Sequence, residues 1–582
     1  MASEDDIARA LMAAEDAGPP EDRPVSALDR ACAFLLRNDI GNAERLIARY
    51  GDDLAYHPAL GWLVWTGSHW DAELGGHLAQ MKAQLTARAI YAEAKALPPP
   101  DPEEVIARAR DEGIDAERAL KQAKKDHDAL VEAFLRFAKS SGNSGKVAAM
   151  LTEAAPHRMR RPDEFDADPF VFVAKNKTLH LRKDRVEVRP HHRGDLRTKT
   201  GACDFDPKAT CPSWLAFLEM VQPDPAMRGY LQRFAGYVLT GDISEQALLI
   251  FHGGGRNGKG TFLNALRDVL GQMAITTPIE TFGDGTRKDG ASASPDIARM
   301  RSRTLIVTSD APDNLTLSAG LIKQMTGQEP ITARELHKAF IEFMFTGKMV
   351  IPCNPKPRIP GTDDGIWRRV HLVPWPVQIP LEAIDRHLGA TLKAEAPGIL
   401  NWMLEGFVAW RAQGLNAPAT VLAASQDYRT ESDPLGEFLS VWTDRDAGGR
   451  ASSAALFAKY GEYCKANAYP EPKSGSSFGK SLKARGFESL KSGVKVWLGL
   501  RLRDEARSEE VAAAPARPAA AAAGEGDGWD AAYRLAQGMG SPDPVERAGD
   551  DREGGGFDRP NDSPSEGRAG NPFDDPFADY DD

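Results

Sequence analysis

A multidomain α/β protein is expected, and three observations lead there. The chain has 582 residues, more than the roughly 250–300 that a single hydrophobic core organises. Near its middle an apolar run, a glycine-rich loop and a stretch with helical apolar spacing follow one another directly. The last segment, from Glu505 to Asp582, holds 19 acidic and 7 basic residues, so it carries the whole net charge of −12 and leaves residues 1–504 with 65 charges of each sign. A neutral body does not exclude nucleic acid, because binding depends on how cations cluster. No apolar run approaches the roughly 20 residues that span a bilayer, and Met1-Ala-Ser-Glu-Asp-Asp lacks the features of a signal peptide, so no membrane association and a cytoplasmic location are expected. Five scattered cysteines fit free thiols in a reducing compartment.

The chain divides at shifts of composition. Residues 1–45 read as a flexible helical N-terminus. Residues 46–245 read as a mainly helical domain with small β hairpins. Within it, Tyr56–Trp70 is an aromatic hairpin whose tryptophans pack as a local core, and Pro98–Pro102 interrupts a helical stretch from about Gly76 to Glu153. Ser141-Gly-Asn-Ser-Gly-Lys146 reads as a helix start, since it lacks a preceding strand and a hydroxyl after Lys146. Short strands are expected at 170–173, 179–181 and 186–188. His191, His192, Cys203 and Cys211 are not spaced as zinc ligands, and Asp204 and Asp206 have no partner acid in register.

The central unit, 246–400, is organised by Gly253-Gly254-Gly255-Arg256-Asn257-Gly258-Lys259-Gly260-Thr261 between the run Ala247–Phe251 and the helical pattern Phe262–Leu270. A glycine loop between strand and helix is a phosphate cradle: its N–H groups and the positive helix end wrap a polyphosphate, which Lys259 meets as a point charge. Thr261 supplies the hydroxyl for Mg2+ one position later than usual, because Gly260 stands in the customary place. Arg303–Asp310 reads as a second strand ending in an acid, Asp310, a carboxylate suited to metal or water during ATP hydrolysis. A third strand is read from Phe343 through Ile351, ending at Asn354, which can reach a γ-phosphate or attacking water. Arg368 and Arg369, before the apolar run 370–374, suit an arginine finger inserted into a neighbour's pocket.

In this order, with Leu321–Arg334 and Gly361-Thr-Asp-Asp-Gly-Ile-Trp-Arg-Arg369 between and after, the sequence over about residues 160–500 resembles the superfamily 3 helicases, and more closely the helicase half of phage, plasmid and poxvirus-type primase-helicases. The resemblance implies a three-layer α/β P-loop domain of the AAA+-like kind, binding ATP and Mg2+ between protomers of a hexameric ring. It implies a hairpin after Thr332–Arg334 with His337 and Lys338 at its tip on single-stranded DNA. The family usually has Glu where Asp310 stands.

Residues 401–432 read as a helical lid or linker. Residues 433–503 carry two helices and a basic ribbon, resembling the family's C-terminal winged helix, with Lys480, Lys483, Lys491 and Lys495 facing a duplex or fork. Residues 504–582 read as a disordered acidic tail that tethers a primase or another replication protein, mimics DNA against the basic C-terminal module, or only solubilises the chain. The implied activity is ATP-dependent replicative unwinding for a phage or mobile element, in the cytoplasm of its host, without a priming centre in the same chain. The alternatives are a DNA-stimulated ATPase that remodels or packages DNA, and a replication-initiation scaffold with a decayed ATPase.

Overall fold

The computed structural model describes residues 24–504 except 162, 285–293, 313–314, 335–339, 361–362, 468 and 470–473. The readings of residues 1–23 and of the acidic tail therefore lie outside the described residues, as do those of His337 and Lys338. No helix among the described residues is long and apolar enough to cross a membrane.

The chain is multidomain α/β with a helical N-terminal region. Helices Gly75–Ala96, Pro102–Asp111, Ala116–Ser141 and Ser144–Ala154 occupy the stretch from about Gly76 to Glu153 that reads as helical. Pro102 opens the second of these behind an Asp101 side chain that accepts the Glu103 amide, so the proline run acts as a helix start and not as a kink. The aromatic hairpin gains a third strand: Leu54–His57, Gly61–Trp65 and Trp70–Asp71 form one antiparallel sheet. Trp62 and Trp70 are buried, and Trp70 lies 6.2 Å from the Phe165 ring while its Nε1 donates to Arg193 O at 2.9 Å. These two tryptophans are core, with no face left for a base.

The central sheet is parallel throughout. In chain order its strands are β1 (Leu248–His252), β2 (Ala274–Thr277), β3 (Leu305–Thr308), β4 (Lys348–Cys353) and β5 (Val370–Pro374). They lie side by side as β5-β1-β4-β3-β2. A parallel sheet covered on both faces needs strands apolar at every position, which explains the unbroken run in β1. Leu249 and Phe251 join one core with the helix α1 (Lys259–Leu270), while Leu248 and Ile250 join the core on the other face, with Ile366 and Trp367 of α2 (Asp364–Trp367). Two more helices follow, α3 (Ala396–Gln413) and α4 (Ala419–Glu431). Helix α3 packs on Pro225–Val238 so closely that a Cβ on Gly406 would stand 2.0 Å from Gln232 O.

One expected strand is corrected. Phe343–Ile351 is not continuous: Phe340–Met344 pairs antiparallel with Pro330–Arg334 in a separate two-stranded ribbon, and β4 begins only at Lys348. Gly347 turns the chain between them where a Cβ would press within 2.6 Å of Ile306.

The C-terminal unit runs helix Pro434–Trp442, strand Thr443–Ser452, helices Ser453–Ala466 and Gly475–Ala484, then strands Ser489–Ser492 and Val494–Leu502, closing a three-stranded antiparallel sheet around Phe438, Leu456, Phe478, Leu482 and Trp497. Its first strand was not expected from the sequence. Lys480, Lys483, Lys491 and Lys495 are exposed, with Lys491 and Lys495 paired across the ribbon.

At the entry of β4, Lys348 is buried, donates to Thr240 O and Thr346 O, and lies 4.5 Å from the Tyr237 ring centroid. Burial pushes its amine down to about 7. The folded chain then binds fewer protons at this site than the unfolded chain between about pH 7 and its ordinary value of 10.5, so stability rises with pH across that window. The urea midpoint should climb from pH 7 to pH 9, and Lys348→Met should flatten that slope; an unchanged slope would contradict the assignment.

Candidate nucleotide site at the sheet edge

The glycine loop leaves β1 at the carboxyl end of the sheet. Arg256 takes φ 47°, Gly255 φ 88° and Gly258 φ 84°, so three left-handed residues curl the backbone before α1 starts at Lys259. Gly253 is required by close approach: a Cβ there would stand 2.3 Å from Asn257 Nδ2 and 2.5 Å from Trp375 O. Gly254, Gly255 and Gly260 face open space. The loop is tied to the end of the sheet domain through the Ile379 amide, which donates to Arg256 O at 2.7 Å.

Parallel register brings the other candidates to the same edge. Cys353 in β4 and Pro374 in β5 both stand level with His252. In β4 and β3, Val350 stands level with Val307, and Asp310, just past the end of β3, lies close enough for its charge to act on Lys259 and Cys353. The Lys259 Nζ donates to Asn354 Oδ1 at 3.0 Å and to Gly253 O at 2.8 Å. Lys259 is buried, and burial pushes its amine below the ordinary lysine range, with Cys353 and the Asp310 charge opposing. Asp310 and Asn354 are exposed at the rim, and Thr261 sits half-buried in the first turn of α1. Burial pushes the Cys353 thiol up to about 12, which makes it a packing group.

The two arginines differ. Arg369 is buried, and its Nη1 donates to Gly365 O, closing α2. Arg368 is exposed, with one long contact of 3.4 Å to Gln246 Oε1. Of the pair, Arg368 is the one that can reach outward. The ribbon Pro330–Met344 exposes Phe340 and Met344, and the Arg334 guanidinium lies 4.9 Å from the Phe340 ring. Sequence reasoning passed over Phe340, whose exposure depends on which ribbon face the pairing turns outward.

The loop fits a polyphosphate. Lys259 has only neutral acceptors at hydrogen-bonding distance among the described residues, in the positions that phosphate oxygens would take. Asn257 is buried with an Nδ2 that has no partner among the described residues, and an orphaned buried donor is costly unless a ligand completes it. The side chains that would hold a magnesium ion here are the Thr261 hydroxyl and the Asp310 carboxylate. No cluster of three or more His, Cys, Asp or Glu that could hold a metal by itself occurs among the described residues.

Residues 43–223 match the family profile described as D5 N terminal like, and residues 251–369 match a family of unknown function, DUF5906. A protein of Acanthamoeba polyphaga mimivirus, provisionally named a helicase, is 28% identical over 251 residues, covering 39% of this chain and 26% of that protein. One from Frog virus 3, also provisionally named a helicase, is 30% identical over 220 residues, covering 37% and 22%. One from African swine fever virus, provisionally named a primase, is 23% identical over 210 residues, covering 35% and 22%. These matches support a likeness to the superfamily 3 helicase and primase-helicase family. The match spans about a quarter or less of each relative's length, so the chain shares with them a segment and not their full extent.

Two glycines separate geometry from loop composition. Gly253→Ala should weaken a fluorescent ATP analogue by at least about tenfold, because its methyl strikes Asn257 and Trp375 O. Gly260→Ser, which meets nothing, should stay within about twofold of the parent. Equal affinities for the two variants would refute the cradle geometry.

Proposed function

We propose that the protein is an ATP- and Mg2+-dependent DNA helicase of the replicative kind, from a phage or other mobile element. It works as a ring, read here as a hexamer, that translocates on single-stranded DNA and opens a fork. The observation that carries this reading is the meeting of Lys259 with Asn354 beside Asp310 at one sheet edge, with Arg368 exposed beyond it. The strand order 5-1-4-3-2 supports reading the central domain as a P-loop ATPase of the AAA+-like kind.

In this reading the loop amides and Lys259 bind the triphosphate, and Asn257 turns its free Nδ2 toward it. Asp310 orients the attacking water and Asn354 reports the γ-phosphate. Thr261 and Asp310 would hold a magnesium ion, which would supply charge neutralisation at the phosphates. Arg368 of one protomer enters the pocket of the next, while Arg369 holds the helix that presents it. The ribbon carrying Phe340, with His337 and Lys338 in the segment between its strands, faces the DNA strand, where an aromatic face and cations suit bases and phosphates. The C-terminal unit is read as a winged helix whose Lys480, Lys483, Lys491 and Lys495 neutralise phosphates at the fork. Priming is assigned to a separate chain, which the acidic tail would recruit; Asp206 is engaged in capping the Lys208 amide at 2.9 Å.

Steady-state ATPase assays with and without single-stranded DNA test the motor, and forked-duplex displacement tests unwinding. Stimulated hydrolysis with displacement is expected, both lost in Asp310→Ala. Stimulated hydrolysis without displacement would favour a remodelling ATPase, and no hydrolysis at all would leave a scaffold.

A further inference from the structure

Helix α4 lies outside every motif singled out in the sequence, yet it touches both loops that carry candidate catalytic groups. Toward the Asn354 loop, the Tyr428 hydroxyl donates to Pro357 O, and Lys356 pairs with Glu431 at 2.6 Å while lying 5.7 Å from the Tyr428 ring. Toward the arginine helix, the Tyr428 ring meets Trp367, the last residue of α2, edge-on at 5.3 Å and 86°. Arg429 pairs with Asp364, the first residue of α2. One turn earlier, Ser425 Oγ accepts the Leu372 amide at 2.8 Å, giving the edge strand β5 a partner on its open side.

These contacts are not equal. Asp364 is 86% exposed and Glu431 56% exposed at the side chain, so both ion pairs are screened and weak taken singly. Tyr428 is 2% exposed, and its hydroxyl satisfies a carbonyl that water does not reach. A single buried side chain thus holds the loop after Asn354 on one side and the end of α2, directly before Arg368, on the other. Neither loop can shift without moving this ring.

We infer that α4 is a positioning helix, locking the Asn354 loop and the Arg368 helix into one unit through Tyr428. Phosphate occupancy felt at Asn354 in one pocket then changes the presentation of Arg368 to the adjoining protomer. The inference rests on the ATPase reading above and adds to it the route by which one pocket informs the next. Tyr428, Lys356 and Glu431 touch neither substrate nor reacting atoms; they act through Asn354 and Arg368.

The test uses the full-length chain with Tyr428→Phe, Lys356→Glu, Glu431→Lys and the double charge swap. Affinity for a non-hydrolysed ATP analogue should stay within about twofold, while kcat falls about tenfold in Tyr428→Phe and the Hill coefficient for ATP falls toward one. Each single charge variant should lose only part of the cooperativity, because the pair is screened, and the swap should restore it. Hydrogen exchange across residues 364–369 should slow on nucleotide addition in the parent and not in Tyr428→Phe. Parental kcat and cooperativity in the variants would overturn the inference alone, as would a loss that follows only a lower melting temperature. A parent that hydrolyses no ATP would remove the ATPase reading and the inference together.

Discussion

The Lys259 amine is buried between a backbone carbonyl and an amide oxygen, with no carboxylate paired to it among the described residues. Removing a cation from water without an anionic partner is unfavourable, and proteins keep such arrangements where a ligand completes them. Everything else at the sheet edge serves this one placement. The left-handed turn of Gly255, Arg256 and Gly258 starts α1 at Lys259, the missing Cβ of Gly253 lets the loop lie against Trp375, and β4 delivers Asn354 to the lysine from the neighbouring strand.

The parallel sheet makes that delivery possible. Because β1, β4 and β5 run the same way in fixed register, His252, Cys353 and Pro374 end at one level, and Asp310 leaves the neighbouring β3 close enough for its charge to act on Lys259 and Cys353. Residues more than a hundred positions apart thereby share one rim. The sheet holds this register because both of its faces are buried, each by its own core. The arginines divide labour in the same spirit: a buried guanidinium closes α2 from within, and an exposed one stands where another subunit could meet it.

The strand, glycine loop and helix around Lys259 were legible in the sequence because the signals are local: an apolar run, glycines and a 3.6-residue spacing in one continuous stretch. Non-local features were harder. Phe340–Met344 and Lys348–Cys353 merged into one strand because only Phe345-Thr346-Gly347 separates two apolar runs, and the true partner of the first is Pro330–Arg334. Thr443–Ser452 escaped because Thr-Asp-Arg-Asp-Ala-Gly-Gly-Arg-Ala-Ser has neither apolar alternation nor β-branched enrichment; its pairing with Val494–Leu502 makes it a strand, with a register shift between Arg445 and Arg450. The role of Tyr428 was invisible, since nothing in its neighbourhood along the chain points to Pro357 or Trp367.

The account turns on whether the buried amine of Lys259 is the seat of a triphosphate. Calorimetric titration of MgATP into the full-length protein and into Lys259→Met, a swap of similar volume, tests this most directly. The parent should bind, with Lys259→Met weaker by about a hundredfold or more while remaining folded by circular dichroism. Equal affinity in a folded Lys259→Met variant would contradict the account at its root.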